Sequence, residues 1–209
     1  MSINNADLKL VRADIVILAS AHNPSILSPD WIKAKELITE EVKNYVNTPD
    51  FSLCELDNFS IIVDRERLQL TAGSQEVSIL EKLSRFVGGY VKLLPHIPYR
   101  SLGLNFIWQI VESNESRNFP QIDLKVGMNN NLFSILPNHE IKYGGIVYAK
   151  KNPYQLKLVI EPYGKSGLNC NFNYHHAIEK VKENEIIKYL DNFIPFHEQS
   201  RKIVEQIGK

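Results

Sequence analysis

Only two cysteines occur in the chain, Cys54 and Cys170, far apart in sequence. A disulfide framework or a thiolate zinc knuckle needs more than that. Both cysteines are therefore expected to be reduced, small core residues. An excess of charge is missing too: 24 Lys plus Arg balance 24 Asp plus Glu. Without a net positive field, nucleic acid and anionic membranes are not expected partners. No apolar run approaches the ~18 residues needed to cross a bilayer. The opening MSINNADLKL also lacks the basic start and apolar core of a secretory signal. These absences lead to the expectation of a cytoplasmic protein with no membrane segment, in which the Asn114-Glu115-Ser116 glycosylation triplet is idle.

Catalytic signatures are also scarce. Gly164-Lys165-Ser166 matches only the tail of a phosphate-binding loop, because position 159 is Val159 and a strand rather than a helix follows. His197-Glu198 opens like a zinc-protease helix, but Arg201 stands where the second histidine belongs. There is no Gly-x-Ser-x-Gly elbow. The pairs Gly88-Gly89 and Gly144-Gly145 fall inside elements rather than in a strand-to-helix turn, so neither makes a dinucleotide fingerprint. No cofactor is expected.

What is present is ordinary globular material, 44% hydrophobic and 23% charged over 209 residues, enough to bury a sizeable core without staples. ADIVILAS from Ala13 has the length of a strand. Ser28-Pro29-Asp30 has the form of an N-cap, a first helical proline and a first-turn anion. Trp31, Ala34, Ile38, Val42 and Tyr45 recur at helical spacing, which predicts a helix over 29–46. FSLCEL, FSIIV and RLQLTA read as strands, the last two joined by the tight turn Asp64-Arg65-Glu66. A long helix is predicted over 75–94, interrupted by Gly88-Gly89, where something packs closely or the helix bends. Pro95 and Pro98 end it.

SLGLNFIWQIV alternates with period two, placing Leu102, Leu104, Phe106, Trp108 and Ile110 on one face and Asn105 and Gln109 on the other. The polar stretch 112–120 is expected to be a loop. The second half reads as strands QIDLKVGM, NLFSILP, IKYGGIVYAK, YQLKLVIEP and LNCNFNY, followed by helix with a break at Pro195. A hairpin followed by a helix occurs twice, at 59–94 and 155–194. The pattern Leu-x-x-Asn-Phe also recurs, at 102–106 and 168–172.

The fold expected is α+β: a mostly antiparallel sheet with about three main helices on one face. It would be a single domain over 1–209, open to division into two similar halves, 1–111 and 121–209, joined by 112–120.

Three groups of residues are candidate sites. Asn169, Asn171 and Asn173 alternate with apolar residues on one strand, and with Asn105 and Gln109 they imply a polar sheet face. His96, Tyr99 and Arg100 sit on a proline-stiffened connector, a setting that can carry binding groups. Asn173 is a candidate N-cap, and His176 and Glu179 would share a helix face if the helix has begun there, so with a third ligand such as His22 or Asp14 the pair His175-His176 and Glu179 could hold a divalent metal. The function expected is non-catalytic: a protein–protein interaction or assembly module engaging a copy of itself or another chain. The alternative is a metal-dependent hydrolase using His175, His176 and Glu179.

Overall fold

The computed structural model describes residues 6–73, 75–112, 144–164 and 167–207. The strands predicted over 121–128 and 131–137, and the loop predicted over 112–120 apart from its first residue, lie outside them. The fold is α+β, a nine-stranded antiparallel sheet with helices packed against it.

The chain opens with β1 (Ala6–Ala19), a short helix α1 (Pro29–Ala34), and the strands β2 (Asn44–Asn47), β3 (Phe51–Glu55), β4 (Phe59–Asp64) and β5 (Arg67–Ala72). It continues through helix α2 (Val77–Leu93), β6 (Tyr99–Glu112), β7 (Gly145–Lys151), β8 (Tyr154–Tyr163), β9 (Gly167–Ala177), α3 (Glu183–Leu190) and α4 (Phe193–Ile207). In the sheet the strands run β2-β3-β4-β5-β1-β6-β9-β8-β7. The 14-residue strands β1 and β6 pair at the centre. Outward from them lie β5, β4 and β3 on one side and β9, β8 and β7 on the other. On each side the innermost flanking strand hands over to helix, α2 after β5 and α3 with α4 after β9. The two hairpin-then-helix units thus occupy matching places. The Leu-x-x-Asn-Phe echo does not: its copies lie on β6 and β9, which pair directly, Phe106 opposite Phe172.

Period two builds the core. Ile15, Ile17, Leu68, Leu70, Leu102, Leu104, Phe106, Leu168, Cys170 and Phe172 are buried on one face, together with Leu80, Leu83, Phe86, Val87 and Val91 of α2. Cys54 and Cys170 are buried and unpaired, as small core residues. Burial pushes their thiols up to about 11 and about 12, respectively. Trp108 donates its indole Nε1–H to Ser200 Oγ at 2.8 Å, and Ser200 donates to the His197 carbonyl at 2.7 Å, tying α4 to the sheet. The β4–β5 hairpin needs no glycine, because Asp64 Oδ1 accepts from the amides of Glu66 and Arg67 at 2.9 and 2.8 Å.

Several elements differ from the sequence reading. Ser28 caps α1 as expected, accepting from the Trp31 amide at 3.2 Å. The helix then stops at Ala34 rather than reaching 46: Glu36 takes a left-handed φ of 54°, and residues 44–47 pair with β3 instead. Cross-strand pairing outcompetes a helical stripe whose Ala34 would have faced solvent anyway. The C-terminal break falls at Asp191-Asn192. Pro195 sits in the first turn of α4, where its missing N–H has no partner to lose.

The glycine pair in α2 marks a close approach at one position only. A Cβ on Gly89 would lie 2.5 Å from Leu37 Cδ2, whereas one on Gly88 would meet Leu190 Cδ1 at an ordinary 3.9 Å. Gly88→Ala is therefore expected to stabilise the fold by about 0.5–1 kcal/mol through helix propensity. Gly89→Ala should lose most or all of that gain, a contrast that paired urea unfolding curves would measure.

Candidate functional site

Antiparallel pairing puts directly opposed residues on the same side of a sheet, so the register shows what the helix-free face presents. One rung crosses every strand: Asn44, Glu55, Ser60, Thr71, Asp14, Asn105, Asn173, Lys157 and Tyr148, in spatial order from β2 to β7. All nine carry a hydrogen-bonding group. At ~4.8 Å per strand the rung is roughly 38 Å long. The neighbouring rung runs Val46, Leu53, Ile62, Gln69, Val16, Gly103, His175, Gln155 and Lys150, apolar on one flank and polar on the other.

The centre of the polar rung is wired together. Asn173 Nδ2 donates to Asn105 Oδ1 at 2.5 Å, Asn105 Nδ2 donates to Asp14 Oδ1 at 2.7 Å, and Arg12 Nε donates to Asp14 Oδ2 at 2.6 Å. Asp14 is only 3% exposed. Burial pushes its carboxyl above the usual range, opposed by the Arg12 charge and by the hydrogen bonds from Asn105 and Arg12. Gly103, in the neighbouring rung, leaves the space the two amides lean into: a Cβ there would lie 3.4 Å from Asn173 Nδ2 and 3.5 Å from Asn105 Nδ2.

Arg12 reaches this face through a β-bulge. Leu10 pairs with Trp108 and Arg12 with Ile107, so Val11 is an extra residue that reverses the alternation of β1. Around the wired centre lies a shallow concavity of about 470 Å³. Its floor and rim include Arg12, Asp14, Arg67, Gln69, Asn105 and Lys157.

The predicted site residues divide accordingly. Asn105 and Asn173 form the wired centre, and Asn171 lines the concavity and donates to Glu161 Oε2 at 3.4 Å. Asn169 and Gln109 oppose each other further along the same face. Arg12 and Asp14 were not read as a pair from sequence, and the signal was a lone carboxylate inside the apolar run ADIVILAS.

His96, Tyr99 and Arg100 diverge instead. His96 is exposed, Tyr99 is buried with its hydroxyl donating to the Leu94 carbonyl at 2.9 Å, and Arg100 Nη2 donates to the Ala19 carbonyl at 3.3 Å.

The histidine pair does not gather into a metal site. β9 continues through Ala177 and the next helix starts at Glu183, so His176 and Glu179 share no helix face, and Asn173 is a mid-strand residue rather than a cap. Successive strand residues point to opposite faces: His175 joins the helix-free face, while His176 is fully buried beneath the helices. Glu179 lies in an exposed turn. His22 is buried with Nδ1 3.1 Å from the Tyr90 hydroxyl. Among the described residues no group of three His, Cys, Asp or Glu could hold a metal ion.

His176 instead stacks on Tyr189 of α3 at 4.7 Å between ring centroids, with Tyr154 of β8 at 5.9 Å and Phe196 of α4 at 6.3 Å. Neither of its ring nitrogens has a hydrogen-bond partner among the described residues. Burial, helped by the neighbouring His175, lowers its pKa to about 4. His197 is stacked on Trp108 at 5.3 Å, and burial also lowers its pKa.

No protein-family model matches the chain, and no curated protein is significantly similar to it in sequence. Among the described residues, no helix is long and apolar enough to cross a membrane.

Two outcomes follow from this geometry. Asp14→Ala strands the Arg12 and Asn105 donors and is expected to cost about 1–3 kcal/mol. Lys157→Ala, at an exposed position, should stay within about 0.5 kcal/mol of wild type, and thermal melts of the two variants would show the difference. His176 is neutral when folded but titrates near 6.5 when unfolded, so the unfolded chain binds the extra proton and stability falls as pH drops from 6.5 to about 4. His176→Phe should remove that part of the loss, raising the melting temperature relative to wild type more at pH 5 than at pH 7.5.

Proposed function

We propose that this protein is a non-catalytic docking module whose helix-free sheet face engages another protein chain. The observation that carries the reading is the polar rung, which spans all nine strands on a face that no described helix covers. Loose polar side chains scattered over a solvated sheet need no explanation. Here, however, amides and a carboxylate are fixed by hydrogen bonds at the floor of a concavity and flanked by apolar residues at Val16, Ile107 and Val159. Held donors and acceptors beside apolar surface are what an interface core and its polar contacts require.

Chemistry at the same place is disfavoured by the occupancy of Asp14. Asp14 is nearly inaccessible and each of its oxygens already accepts a hydrogen bond, from Arg12 or Asn105, which leaves the carboxylate poorly placed to take a substrate proton. A metal-dependent hydrolase built on His175, His176 and Glu179 has no geometric support, because the three side chains do not converge.

Photo-crosslinking in the native host tests the reading. A benzophenone amino acid at Gln155, on the helix-free face, should give a discrete protein adduct that Lys157→Glu abolishes. The same probe at Glu81, on the exposed side of α2, should give none. Absence of any adduct from Gln155, or an equal adduct from both positions, would overturn the proposal.

A further inference from the structure

The concavity has a charge and a shape that together specify its occupant. Its lining holds three cations, Arg12, Arg67 and Lys157, against one carboxylate, Asp14. That carboxylate is nearly inaccessible and already doubly hydrogen-bonded. Lys157 is exposed and makes no ion pair among the described residues. Among the described residues Arg67 pairs with the partly exposed Asp64, its Nε and Nη2 each 3.2 Å from Oδ2, a surface pairing weak enough to exchange. The Arg12 side chain is 43% exposed and commits Nε to Asp14, and its terminal nitrogens make no hydrogen bond or ion pair among the described residues. The lining is therefore positive on balance, with Asp64 and Glu161 beside it, although the chain as a whole is neutral.

Shape selects among anionic partners. Two concave faces cannot close on each other, which disfavours a second copy meeting this one face to face. Phe172 is the one aromatic in the lining and is only 2% exposed, so single-stranded nucleic acid would find no stacking platform. A narrow polypeptide segment fits better. The amides of Gln69, Asn105, Asn171 and Asn173 each combine a donor with an acceptor, as a peptide group does. Lys157 on β8 lies at one side of the depression, and Arg67 on β5 and Arg12 on β1 lie toward the other, in rungs six β1 residues apart. Four strand spacings separate β5 from β8, and four residues along the strands separate the rung of Arg67 from that of Lys157, roughly 23 Å on the diagonal, which an extended chain covers in about seven residues.

We infer that the helix-free face binds an extended acidic polypeptide segment, laid obliquely across the strands with carboxylates about seven residues apart, one toward Arg67 and one toward Lys157. This inference rests on the docking reading and adds the chemistry of the partner.

Fluorescence anisotropy with three labelled probes would test it: an octapeptide of alanine and serine with a glutamate at each end, the same peptide with glutamines, and a short oligothymidylate. The acidic peptide is expected to bind, with affinity falling as salt is raised. Lys157→Gln and Arg67→Gln should each weaken it roughly tenfold, with melting temperatures unchanged. Failure of the acidic peptide to bind, tighter binding of the oligothymidylate, or indifference to both substitutions would overturn the inference. Equal binding of the glutamine peptide, still abolished by Lys157→Glu, would overturn the acidic chemistry while leaving the docking face in place.

Discussion

Everything in this molecule depends on the antiparallel pairing of β1 with β6. These two strands are each 14 residues long and, among the described strands, form the only junction between the flank built from β2 to β5 and the flank built from β7 to β9. Their pairing sets Ile15 against Leu104 and Ile17 against Leu102 on the buried face, and Asp14 against Asn105 on the other. A slip of β1 by one residue would turn that strand over, driving Asp14 under the helices and away from Asn105 and exposing Ile15 and Ile17. The hydrogen bond between Asp14 and Asn105 therefore does more than satisfy two groups. It exists in one register only, and so discriminates against the nearest wrong pairing.

The bulge at Val11 shows why part of this was hidden in the sequence. Before it, β1 buries Leu10; after it, Ala13, Ile15, Ile17 and Ala19. The alternation shifts phase by one residue, so a period-two pattern read from sequence starts at Ala13 and loses the first half of the strand. Arg12 is lost with it, although the same phase shift brings Arg12 onto the face of Asp14. The strands without such a break were legible over most of their length, β6 from Ser101 to Val111 and β9 from Leu168 to Tyr174, including which side chains are buried there. The helix expected over 29–46 failed for a different reason. Its apolar spacing is genuine, but residues 44–47 gain a strand partner in β3 that no local pattern reveals. His175 and His176 were ambiguous because a strand's end cannot be seen from composition, and the continuation of β9 to Ala177 sends the two rings to opposite sides of the sheet.

The helix side is a different electrostatic world. His176, His197, the Tyr174 hydroxyl and His22 Nε2 bring polar atoms into a dry aromatic layer, and His176 has no hydrogen-bond partner there among the described residues. Stacking on Tyr189 and Trp108 lets the imidazoles behave as flat aromatic fillers in their neutral form. Their burial disfavours the charged form that proton transfer at neutral pH would need to reach, and none of them opens onto the concavity on the far side of the sheet. The residues with the most familiar catalytic chemistry are thus spent on packing, while the residues with the least familiar chemistry, amides in a row, occupy the accessible surface.

Register specificity could by itself explain the wired centre of the polar rung, since Asp14, Asn105 and Asn173 satisfy one another. It does not explain the rung's outer members. Lys157 and Tyr148 continue the same line across β8 and β7, exposed, with Tyr148 at 73%, and they add nothing to the pairing of β1 with β6. Nor does it explain why Arg67, Arg12 and Lys157 border a depression whose single carboxylate is already neutralised from within. A polar device serving only the fold would be complete once its own donors and acceptors were matched. This one is matched at its centre and left with surplus positive charge at its sides, and that surplus is what directs the face outward, toward a partner carrying the missing negative charge.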